Sequence, residues 1–313
     1  MNTVTTVVRN SVRIIRINKP DKKNAVSVVE FDGIRKILEN DKNNDTTKLS
    51  IVTGSNDYFT SGLDMNDVFK YIIEKDDTYA EKISIGLRNL IQEIIDYPKL
   101  LVGVVNGPAV GIGTTILPFF DYIYASEKAT FQSPFVKLGL NVEACSSFTF
   151  PMVMNRMNMF DLVFLGLGLN VEACSSFTFP MVMNRMNMFD LVFLGKKIDV
   201  TKAKELGLVG QIYKDSDVDQ VYDGIQDVTK AKELGLVGQI YKDSDVDQVY
   251  DGIQDIAQLP FDTVKLNKKL VMDNFREKLI ECNKRECDML KISLKSPQFL
   301  KTVSMFLTRK NKK

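Results

Sequence analysis

The stretch Leu101–Thr115, LVGVVNGPAVGIGTT, constrains the fold more than any other. Its Val-rich first half reads as a strand buried on both faces. Asn106-Gly107-Pro108 breaks that strand, and Gly111 and Gly113 fall where a helix would begin. A strand running through glycines into a helix start gathers unpaired backbone N–H groups at one point, which attracts negative charge. Taken alone, the same text also suits a tight turn with no ligand. A second loop, Tyr58-Phe59-Thr60-Ser61-Gly62-Leu63-Asp64-Met65, follows another buried strand, Lys48–Thr53. Two such turns can aim N–H groups at one oxygen.

The segments around these loops alternate between strand and helix. Thr3–Val8 and Val12–Ile17 read as a hairpin about Arg9-Asn10-Ser11, followed by a basic loop, Asn18–Ala25. Ser27 is placed to cap a helix carrying Val28, Phe31, Ile34, Ile37 and Leu38 on one face, and Asp64 to cap a second. Ile83, Leu87, Leu90, Ile91, Ile94 and Ile95 recur at helical spacing before Pro98, and Asp121–Ala125 and Ala129–Phe131 read as short strands. Hairpins mixed with crossovers make the chain α/β without the plain alternation of a doubly wound sheet. No GxGxxG or P-loop pattern is present.

The chain has no histidine. That excludes Ser-His-Asp and Cys-His nucleophiles, HExxH zinc chemistry and a histidine base, and leaves Asp, Glu, Lys, Tyr or Cys to carry a proton. The 41 basic and 40 acidic residues are interspersed, which gives no footprint for nucleic acid. No apolar run is long enough for a membrane span. Cys145, Cys174, Cys282 and Cys287 lack CxxC spacing and fit buried thiols better than a disulfide frame. No metal ligand set is expected.

Two segments occur twice without a change. Leu138–Gly166 recurs as Leu167–Gly195, and Asp199–Gln226 recurs as Asp227–Gln254. Two copies do not make a solenoid, and the rest of the chain does not repeat. Each copy of the first unit carries a glutamate in apolar text, Glu143 or Glu172. Such a residue is either a surface charge at a helix start, which the spacing alone favours, or a partly buried base with a raised pKa. The second unit reads as helix, glycine, strand, helix. From Pro260 the chain is helical, with Leu266, Leu270, Val271, Phe275 and Leu279 along one side. Residues 1–258 are expected to form the core, including the duplications 138–195 and 199–254, and residues 259–313 a C-terminal helical region.

FTSGLDM, NGPAVGIGTT, FDYIYASEKATFQSPFVKLGL and VEACSSFTFP together resemble the crotonase (enoyl-CoA hydratase/isomerase) superfamily, and within it most closely the peroxisomal Δ3,Δ2-enoyl-CoA isomerases. With one copy of each repeat set aside, the resemblance covers essentially the whole chain. It implies a spiral of ββα units with a C-terminal helical region that builds trimers or dimers of trimers. It also implies an acyl-CoA substrate and no cofactor beyond the CoA that the substrate carries. The enolate-stabilising N–H groups fall on Leu63 and Ile112, and the catalytic glutamate on Glu143, with Glu172 as its duplicate. Lys23, Asn24 and Ala25 match the CoA-binding segment, and Ser61, Gly62, Leu63, Asp64, Met65 and Gly111 line the substrate site. Hydratases of the superfamily carry a first glutamate just after the Gly-rich turn, where this chain has Thr115. The implied activity is therefore isomerisation, with hydration or non-catalytic acyl-CoA binding as alternatives. The resemblance points to the peroxisome, with cytoplasm or mitochondrion as alternatives. The ending Asn311-Lys312-Lys313, in place of Ser-Lys-Leu, is expected not to direct import alone. The N-terminal acyl-CoA-binding domain of some animal relatives is not expected.

Overall fold

A computed structural model describes residues 3–153, 228–233 and 235–310. The first strand pair is β1 (Val4–Arg9) and β2 (Val12–Ile17), antiparallel about Asn10 and Ser11 at φ 48° and 64°. Two residues with positive φ match the twist of a tight hairpin. Helix α1 (Val28–Asp41) starts at Ser27, where Ser27 Oγ accepts from Val29 N and Glu30 reaches back to Ser27 N at 2.7 Å. This reciprocal capping box satisfies donors that would otherwise be orphaned.

Strand β3 (Leu49–Gly54) is buried throughout. It is followed by α2 (Met65–Ile73), α3 (Tyr79–Ile95) and β4 (Leu100–Val105). The chain continues through β5 (Ala109–Val110), α4 (Ile112–Thr115), β6 (Tyr122–Ser126), β7 (Phe131–Gln132), α5 (Phe135–Leu138) and α6 (Ser146–Val153). The second copy of the second unit supplies α7 (Val228–Glu233), β8 (Gln239–Tyr241) and α8 (Val246–Ile256), in the helix–glycine–strand–helix order expected. Helices α9 (Phe261–Asp273), α10 (Arg276–Ser293) and α11 (Pro297–Lys310) follow. Glu172, Cys174 and the first copy of the second unit lie outside the described residues.

The main sheet runs β1-β2-β3-β4-β6-β8, parallel from β2 onward. Alternate residues serve its two faces, as the strand period requires. Ile15, Ile17, Val52, Leu101 and Val105 join α1 and α3 in one core, whereas Ile14, Leu49, Ile51, Val102 and Val104 join Val249 and Ile253 of α8 in the other. A two-stranded parallel sheet, β5 with β7, lies outside this order. Two-residue strands carry no periodic signal, so the sequence reading runs β5 into the glycine turn.

Helix α10 packs on α3. Ser84 Oγ donates to Cys287 O at 2.5 Å, Asn283 Nδ2 to Arg88 O at 2.9 Å, and the Tyr79 hydroxyl to Leu294 O. The expected apolar stripe divides here. Leu279 is buried, whereas Leu266, Leu270 and Val271 of α9 are 57%, 58% and 58% exposed. No helix among the described residues is long and apolar enough to cross a membrane.

At the end of α1, Asp41 gathers Arg13 Nε at 2.6 Å, the Tyr97 hydroxyl at 2.6 Å, Thr47 Oγ1 at 2.7 Å and Lys99 Nζ at 3.2 Å. Asp41 and Lys99 are both buried. Burial pushes the Asp41 carboxyl up, but the hydrogen bonds from Tyr97, Thr47 and Arg13 and the Lys99 charge hold it below the ordinary value. Its contribution is thus present at neutral pH and lost as pH falls through that depressed value. Asp41→Ala would strand the buried Lys99 ammonium, so urea denaturation should show a loss of about 3–5 kcal/mol.

Candidate active site

Three loops meet where the sequence places the site. Val26 N donates to Gly62 O at 2.9 Å and Asp64 N to Val26 O at 2.8 Å, while Ser61 N donates to Lys23 O at 3.0 Å. Thr60 Oγ1 donates to Asn24 O at 2.7 Å. The basic loop is thereby stitched to the Ser61-Gly62-Leu63 loop. Val110 N donates to Thr60 O at 2.9 Å and Gly111 N to Gln132 O at 2.8 Å, which adds the Gly-rich turn and β7.

The two glycines explain the closeness of the loops. Gly62 has φ +85° and Gly111 φ +58°, both in the left-handed region. A Cβ on Gly62 would meet Val110 O at 2.9 Å, and one on Gly111 would lie 4.0 Å from the Gly62 Cα. The residues after these touching glycines are Leu63 and Ile112. Neither N–H donates a hydrogen bond among the described residues. Ile112 opens α4, where a first-turn N–H has no intrahelical partner. The pair therefore offers two fixed donors of the kind that meets a developing oxyanion.

Not all of the proposed contact residues have free side chains. Asn24 is fully buried, and its side chain bonds Ser55 O at 2.8 Å, Tyr58 O at 2.6 Å and Lys19 N at 3.0 Å. Its task is to hold the basic loop. Asp64 caps α2 as expected, accepting from Asn66 N at 3.1 Å, and also takes Lys22 Nζ at 2.9 Å and Lys19 Nζ at 3.4 Å. Burial pushes the Asp64 carboxyl up, but the hydrogen bonds from Lys22 and Asn66 and the nearby lysine charges leave it below the ordinary value. Ala25 is buried, Met65 and Ser61 are half-buried, and Lys23 is exposed with its ammonium 5.2 Å from the Tyr58 ring centre. Thr115 is buried and follows the donor turn on α4.

Glu143 sits in the turn between α5 and α6. Its neighbours Ala144 and Cys145 have φ 52° and 58°, strained values for residues with a Cβ. The turn is held by Ser146 Oγ to Glu143 O at 2.7 Å, Cys145 Sγ to Leu279 O at 3.3 Å and Ser147 N to Glu286 Oε1 at 2.9 Å. Leu140, Val142 and Phe148 pack against the core around it. Glu143 is half-buried, and desolvation by these surroundings, with a lesser push from the Glu286 charge, raises its carboxyl to about 8. The choice favoured by spacing, a surface charge at a helix start, is corrected: the glutamate precedes α6 in a strained apolar turn. That setting suits a group that takes up and returns a proton near neutral pH. Cys145, Cys282 and Cys287 are free and buried, as expected.

Glu286 is the residue at this site that the sequence reading passes over. It lies in a charged helix, RECDML, whose pattern does not mark it. Among the described residues, no group of His, Cys, Asp and Glu forms a metal cluster.

Residues 8–156 match the family described as Enoyl-CoA hydratase/isomerase. The Rattus norvegicus protein named enoyl-CoA delta isomerase 2 is 30% identical over 299 residues, covering 95% of this chain. The chain spans 61% of that relative's length. The Mus musculus protein named enoyl-CoA delta isomerase 3, peroxisomal, is 43% identical over 140 residues, 45% of this chain and 44% of the relative. The crystal structure of an enoyl-CoA hydratase/isomerase from Pseudoalteromonas atlantica T6c superposes with a TM-score of 0.71 at 23% identity, covering 98% of this chain and 97% of that one. At that identity the superposition speaks for the fold. The sequence match over residues 8–156 is to the enoyl-CoA hydratase/isomerase family, and the architecture is the crotonase fold shared with that solved structure.

Proposed function

We propose that the protein shifts the double bond of 3-enoyl-CoA to give trans-2-enoyl-CoA, a step of unsaturated fatty acid β-oxidation. The observation that carries this reading is Glu143, a carboxylate set in an apolar turn, in a chain with Thr115 in the position of the hydratases' first glutamate. Glu143 removes a proton from C2 of the substrate. The electron pair passes into the thioester carbonyl, whose oxygen becomes an enolate facing the Leu63 and Ile112 N–H groups. The glutamic acid then returns the proton to C4, and the double bond moves to C2–C3. One carboxyl serves both transfers, and apolar walls keep its proton from exchanging with water. No metal or redox cofactor takes part.

The names of the rat and mouse relatives support isomerisation, and the mouse name supports a peroxisomal location. The uncovered apolar stripe on α9 suits assembly into a trimer or dimer of trimers. The test is a paired assay on purified protein. Turnover of 3-enoyl-CoA should exceed hydration of 2-enoyl-CoA by at least about 10²-fold, the typical weight of a positioned acid–base group. Equal rates would assign a hydratase instead.

A further inference from the structure

Glu286 touches the Glu143 turn at both ends. Its backbone carbonyl accepts Asn141 Nδ2 at 3.1 Å, two residues before Glu143. Its Oε1 accepts Ser147 N at 2.9 Å, four residues after. Its Oε2 is buried and has no hydrogen-bond partner among the described residues, and the residue is only 4% exposed. A buried carboxylate oxygen without a donor is costly and is retained only where something compensates. A purely structural clamp needs the Oε1 contact alone, and an amide would make it without the charge.

We propose that Glu286 is a positioning residue for the proton transfer, clamping the turn that carries Glu143 and maintaining a second negative charge beside it. This rests on the reading of Glu143 as the proton carrier. The titratable or charged groups that meet this cluster are Cys145 on the turn, Cys282, Arg285 and Cys287 on α10, and Arg88 on α3. Burial does most to raise the Glu143 carboxyl, and the Glu286 charge adds to it. Like charges in one apolar pocket favour a proton staying on one of them. The second carboxylate thus makes Glu143 a stronger base than the apolar walls alone would.

The experiment uses the full-length chain in two ways: infrared titration of the carboxyl groups without substrate, with Glu143→Gln identifying the Glu143 band, and kcat/KM for 3-enoyl-CoA against pH. Glu143 should titrate near 8 in the unaltered protein. In Glu286→Gln the band and the acid limb of the rate profile should both move down by at least about one pH unit. A clamp without an electrostatic role would leave both where they were, and that result would overturn the proposal. Should Glu286→Gln not melt cooperatively, Glu286→Asp keeps the charge but shortens the reach to Ser147 N. It should keep the elevated titration and lose at least about 10-fold in kcat with KM unchanged, a misplacement effect. An ordinary carboxyl titration in that variant would equally overturn the proposal. Absence of 3-enoyl-CoA turnover in the unaltered chain would count against the functional reading, while the infrared titration would still decide the role of Glu286.

Discussion

Glu143→Gln should slow 3-enoyl-CoA isomerisation by at least about 10²-fold while leaving binding of the CoA ester unchanged, because the amide keeps the shape but cannot accept the C2 proton. The loss should fall on kcat, since a proton transfer is made only in the transition state. Calorimetric titration with a saturated acyl-CoA checks the binding half, and a coupled spectrophotometric assay the rate half. Unchanged turnover would remove Glu143 from the reaction. Glu172 occupies identical text, so the companion variant matters. The described structure seats Glu143 of the first copy in the turn between α5 and α6, and Glu172→Gln should leave turnover intact. Loss of activity from Glu172→Gln alone would transfer the role to the second copy.

Gly62→Ala should cost about 10²- to 10³-fold in kcat, the range found on removing one oxyanion donor. The added methyl group meets a backbone atom, Val110 O, at 2.9 Å, where no side chain can rotate away. The backbone at φ +85° is in addition unfavourable for any residue with a Cβ. Either the loops separate or Gly62 changes conformation, and both turn Leu63 N–H away from Ile112 N–H. The damage is local, so the thermal midpoint should fall only modestly while kcat collapses. Retained kcat with the substitution in place would show that the two N–H groups need not be held together.

The parts of this architecture written in periodic text are legible in the amino-acid sequence alone. The strand pairs β1–β2 and β3–β4 and helices α1 and α3 follow from alternation, helical spacing and the Ser27 cap. The donor turn is visible because only glycines accept its backbone angles and because two loops of the same kind follow buried strands. Glu143 is marked by its text but not by its surroundings. Burial does most to raise its carboxyl, but the lesser push comes from Glu286, far along the chain, and local spacing carries no trace of it. The same holds for Asp41, whose partners Arg13, Tyr97 and Lys99 lie on separate elements. Asp64 reads as a cap from its position, yet its two lysines reach it only because the basic loop folds over it. The α9 stripe is plainly apolar, but periodicity does not say whether such a face packs inward or stays uncovered.

The tie between the Glu143 turn and α10 also bears on the order of events during synthesis. Leu63 and Ile112 reach their places through contacts among residues 24–132, all present once the first half of the chain has emerged. The left-handed backbone at Ala144 and Cys145 is stabilised by bonds to Leu279 and Glu286, spanning 134 and 139 residues. Contacts of such separation form late, because the intervening chain must be closed first. A nascent chain released before α10 leaves the ribosome would therefore carry a finished pair of N–H donors and no fixed base. Such a product would be able to hold a thioester without turning it over.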